Sequence, residues 1–88
     1  MDDAHVAIDH MMLGKGDGIP EHIVNSHAYS IIVRGKMTIA LDGQTPNTYE
    51  GGRIVNVPFK TRMKIDNLAP EMLEFFVMKA PNPREMNQ

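Results

Sequence analysis

The sequence predicts an all-β domain, a sandwich or barrel of short strands. Three observations carry this. Segments rich in β-branched and aromatic residues recur at about 8–12-residue spacing. Gly, Pro, Asn or Asp marks the boundaries between them. No stretch carries a convincing helical period.

Taken in order, Met11–Leu13 is a short apolar run ahead of GKGDGIP, which holds three glycines and a proline and is expected to turn. Ala28–Val33 (AYSIIV) is aromatic and β-branched, hence a strand. Gly35-Lys36 turns it, and Met37–Leu41 returns. Asp42-Gly43 signals a hairpin, because both residue types tolerate positive φ. Gln44–Tyr49 is polar with a proline and reads as a loop. After Gly51-Gly52, Arg53–Val57 forms a strand ended by Pro58. Lys60–Asp66 alternates, with Met63 and Ile65 on one face and Arg62, Lys64 and Asp66 on the other. Met72–Met78 is apolar on both faces, as in a strand covered twice. Residues 1–81 are expected to form one domain, with 82–88 a loosely held tail.

Composition narrows the function. Eighty-eight residues allow one domain with a thin stability margin. Net charge is −2 with both signs scattered, so no basic stripe exists for nucleic acid. No apolar run approaches the roughly 20 residues that cross a bilayer. The polar start MDDAHVAIDH is not a secretory signal. Cysteine is absent, which removes disulfides, thiolate metal sites and Cys nucleophiles. The expected location is the cytoplasm. GKGDGIP is not a phosphate loop, because it lacks Lys-Ser or Lys-Thr after its last glycine. Ser26 and Ser30 lack the setting of a nucleophilic serine.

Two spaced motifs say more. Gly16 is followed after five residues by His22, and Gly35 closes that segment. Gly52 is followed after five residues by Pro58, and Asn67 closes the second. This spacing resembles the two motifs of the cupin family. The resemblance implies a small double-stranded β-helix, the cupin or jelly-roll barrel. It also implies a metal site, and there the chain departs from the pattern. Of the four usual ligand positions only His22 keeps a ligand, while Val24, Ala28 and Met63 occupy the rest. Valine and alanine offer no lone pair, and a thioether suits Cu(I) better than Fe(II), Mn(II) or Zn(II). Lys60 stands where the second motif has a glycine.

The expectation is therefore a metal-independent pocket for a small organic molecule, with no cofactor. Its lining is expected to be His22, Val24, Ala28, Ser30, Asn56, Met63 and Ile65. Asn56 is included on the view that Val55 and Val57 take the opposite face. Two alternatives stay open: a cupin metalloenzyme (isomerase, dioxygenase or lyase) with a displaced site, or an assembly module with a filled core. A displaced metal would take His22, with His27 or His10 as partners. Tyr29, Ile31, Val33, Leu73, Phe75 and Val77 are expected outside, and this apolar surface predicts a homodimer.

Overall fold

A computed structural model describes residues 6–80. It contains eight strands: β1 (Ala7–Leu13), β2 (Gly18–Ile23), β3 (Ala28–Arg34), β4 (Lys36–Leu41), β5 (Asn47–Glu50), β6 (Ile54–Val57), β7 (Arg62–Asp66) and β8 (Leu73–Lys79). They form two four-stranded sheets, ordered β1-β8-β3-β6 and β2-β7-β4-β5. All neighbouring strands run antiparallel. The all-β expectation holds. His5 and the expected tail at 82–88 lie outside the described residues.

Alternation along each strand builds the interior. Ala28, Ser30 and Ile32 of β3 point inward, as do Met37 and Ile39 of β4 and Met63 and Ile65 of β7. Strand β8 sends Leu73, Phe75 and Val77 inward, where Leu73 and Phe75 are completely buried. This corrects the expectation that these three face outward. Both faces of β8 are apolar, so its pattern carried no parity. Its outer residues are Glu74, Phe76 and Met78. Asn47–Glu50, expected in a loop, is a strand because it pairs with β4 from Asn47 opposite Ile39 to Glu50 opposite Lys36.

The turns follow residue chemistry. Asp42 and Gly43 have φ of 51° and 72°, and Gln44 N–H donates to the Leu41 carbonyl at 2.9 Å. That is the geometry of the hairpin turn their sequence predicts. Gly35 adopts φ +84° between β3 and β4. A Cβ there would also strike the Met72 carbonyl oxygen and come within 2.8 Å of Leu73 Cα, so only glycine fits. Asn67 is fully buried. Its Nδ2 donates to the carbonyls of Leu13 at 2.9 Å and Glu71 at 2.8 Å, and its Oδ1 accepts from Ala69 N–H at 3.1 Å. Its own carbonyl accepts from Gly16 N–H at 2.8 Å. The two motif ends, Gly16 and Asn67, thus meet and tie one end of the sheets together.

Candidate functional site: the mouth between the sheets

A cavity of about 190 Å³ opens between the two sheets, at the side where β1 and β2 form their edges. The first sheet contributes Asp9 and Met11 from β1 with Val77 and Lys79 from β8. The second contributes Ile19 and His22 from β2 with Met63 and Ile65 from β7. The opposite half of the interior is packed solid by Ile32, Met37, Val55, Val57 and Phe75. Two larger depressions, about 270 and 320 Å³, lie outside the barrel around Lys36 and Thr48. They are lined largely by exposed side chains, and we take the interior mouth as the candidate site.

A bulge places His22. Ile19 pairs with Ile65 and His22 with Met63, so three steps on β2 match two on β7. The extra residue falls at Pro20–Glu21, where a proline lacks a ladder donor anyway. The shift brings both Ile19 and His22 to the cavity side. It also sets the Pro20 carbonyl 3.0 Å from His22 Nδ1. A carbonyl can only accept, so Nδ1 carries the hydrogen. In the neutral ring Nε2 then keeps its lone pair.

The expected lining residues separate into three groups. His22, Met63 and Ile65 line the cavity. Val24, Ala28 and Ser30 face inward and are buried, but their side chains do not line the cavity. Ser30 sits beside Val77 on the neighbouring strand, and its buried hydroxyl has no hydrogen-bond partner. Asn56 is exposed on the outer face of β6, while Val55 and Val57 are buried. This corrects its assignment to the pocket. The core has the stronger claim on the apolar side chains of an alternating strand. Asp9, Met11, Ile19, Val77 and Lys79 were missed. Val77 had been assigned to the wrong face, and β1 extends four residues ahead of the apolar run that marked it.

The family's metal chemistry meets a donor set that does not fit. No group of three or more His, Asp or Glu side chains converges among the described residues. His10 lies on the outer face of the first sheet, where Nε2 donates to Glu74 Oε2 at 2.8 Å and its ring packs on Phe76. His27 packs on Tyr29 with ring centroids 4.9 Å apart. Neither joins His22. That leaves one imidazole and the Asp9 carboxylate at the mouth, where three or four ligands are usual.

Comparison with known proteins decides the family. No family model matches the chain. An uncharacterized protein of Methanocaldococcus jannaschii is 46% identical over 83 residues, covering 94% of this chain and 72% of that protein. Its crystal structure, described as an RmlC-like cupin family protein with a double-stranded β-helix fold, superposes with a TM-score of 0.96 at 43% identity. That match covers 100% of this chain and 81% of the other. The chain belongs to the RmlC-like cupin family. The same fold recurs in this cupin's more distant neighbours. The cupin domain of Schizosaccharomyces pombe Cnp3 gives a TM-score of 0.84 at 17% identity, covering 99% of this chain and 64% of that one. A cupin superfamily protein of Desulfitobacterium hafniense gives 0.82 at 15%, covering 93% and 72%. Among the described residues, no helix is long and apolar enough to cross a membrane.

Proposed function

We propose that this cupin is a metal-independent binding domain for a small organic molecule, seated in the mouth between β1–β8 and β2–β7. The supporting observation is the make-up of that mouth. Met11, Ile19, Met63, Ile65 and Val77 form apolar walls, and only Asp9, His22 and Lys79 bring polar groups. Apolar walls with few polar groups are the usual pattern of a small-molecule site. At about 190 Å³ the space is below the roughly 300 Å³ where such sites usually begin, so the ligand is small. The test has two parts. Elemental analysis of purified protein is expected to find no transition metal above trace, and a stoichiometric ion would overturn the reading. A metabolite panel is expected to yield at least one compound that raises Tm, since binding the native state alone stabilises it. Ile65→Phe, which fills the cavity, should remove that response.

We also propose that the protein pairs with a second copy through the outer face of the first sheet. Tyr29, Ile31, Ile54, Phe76 and Met78 lie together there by strand register. The corresponding face of the second sheet carries Lys36, Thr38, Thr48, Arg62 and Lys64, with Ile23 beside Arg62. A chain of this size gains much by covering the apolar face. The cytoplasm is proposed as the compartment, on the strength of the cysteine-free composition.

A further inference from the structure

Two charged groups of opposite sign, Asp9 and Lys79, stand on the wall of the apolar mouth. Asp9 lies opposite Val77, and Lys79 lies two residues further along β8. They therefore share a face at diagonal positions, where backbones are about 7–8 Å apart. Ion pairs among the described residues join His10 to Glu74, Arg34 to Glu74 and Lys64 to Asp66. Asp9 and Lys79 take part in none of them. Lys79 is half-buried, its stem lying along the apolar wall and its ammonium left for an anion at the mouth. Facing this pair, His22 holds its Nδ1 hydrogen on Pro20, which leaves Nε2 to accept a hydrogen bond.

We propose that the mouth selects a small zwitterion with an aliphatic body, of the size and kind of a branched-chain amino acid. Its carboxylate meets Lys79 Nζ, its ammonium meets the Asp9 carboxylate and its chain lies on Met11, Ile19 and Met63. A ligand bearing one charge would meet only one of the two opposite charges on the wall, and a zwitterion meets both. The about 190 Å³ of space excludes larger zwitterions such as peptides. This inference rests on the metal-independent binding reading and names its ligand class.

The experiment uses four probes of matched body: L-leucine, 4-methylpentanoate, 3-methylbutylamine and the neutral 3-methylbutan-1-ol. Binding is followed by the methyl NMR signals of Met11 and Met63 and by thermal shift. Leucine is expected to bind at least tenfold more tightly than either singly charged analogue. Lys79→Gln and Asp9→Asn should each weaken leucine tenfold or more and leave the alcohol unchanged. Equal affinity for all four probes, or leucine binding indifferent to both substitutions, overturns charge selection while the binding reading stands. If no probe, the alcohol included, moves the Met11 and Met63 signals, the zwitterion class falls, and the metabolite panel decides the binding reading separately.

Discussion

At the scale of single residues, two buried polar side chains have opposite standing. Asn67 engages both its amide hydrogens and its oxygen with three backbone groups, whereas the Ser30 hydroxyl has no partner. Leaving buried backbone groups unpaired costs about 1–3 kcal/mol each, and removing an unpaired hydroxyl costs little. Asn67→Ala is therefore expected to lower stability by about 3 kcal/mol. Ser30→Ala is expected to raise it by about 0.5–1 kcal/mol. Urea unfolding of both variants checks the contrast. Glu74 gives a pH signature. The His10 hydrogen bond foremost, then Arg34, holds its carboxyl below the ordinary value against partial desolvation. A depressed folded-state pKa contributes stability above the unfolded value, near 4.3 for glutamate, and loses it as pH falls through the folded value. The stability gap between wild type and Glu74→Gln should thus close as unfolding is measured from pH 6 down to pH 3. Asn67 was legible in the sequence as a motif end. The Ser30 orphan was not, because one cannot tell from a strand pattern which inward hydroxyl will find a carbonyl.

At the scale of elements, turns were readable and strand faces only partly so. Asp42-Gly43 and Gly35 announced their turns because few residues accept positive φ. Lys60 shows the limit of that logic. It has φ +70° in the tight turn where Thr61 N–H donates to the Pro58 carbonyl at 3.2 Å, at the position where the cupin motif has glycine. A left-handed non-glycine residue costs roughly 1–2 kcal/mol, and glycine's extra freedom when unfolded returns about 0.4–1 kcal/mol of that. Lys60→Gly is expected to stabilise by about 0.5 kcal/mol. Gly35→Ala is expected to destabilise by more than 2 kcal/mol, because its Cβ meets backbone as well as the wrong φ. Thermal unfolding of the pair tests both signs. Strands with strict alternation, such as β7, declared their inner face. Strand β8 did so only weakly, since Glu74 is the one charged residue between Leu73 and Met78, and in β6 the core claims Val55 and Val57 ahead of Asn56. The bulge in β2 left no sequence mark beyond Pro20, yet it is what brings Ile19 and His22 to one side.

At the scale of the molecule, the two outer faces differ in kind. The first sheet exposes Ile54 at 64% and Val33 at 48%, next to Ile31 and Phe76. The second shows mainly lysine, threonine and arginine, with Ile23 exposed at its β2 edge. Sedimentation at micromolar concentration is expected to report about 20 kDa, twice the 9.9 kDa chain. Ile31→Glu, which sets a carboxylate in the middle of the face, should return the monomer. A wild-type species of 10 kDa would refute the pairing.

That asymmetry also bounds the stoichiometry. A patch that mates with its own twin about a two-fold axis is used up in doing so. The second sheet's outer face then left outward carries mainly lysine, threonine and arginine around Ile23, too little apolar surface to seat a third subunit. Spread evenly over both sheets, the same residues would have made the chain bifunctional, and bifunctional units grow into filaments.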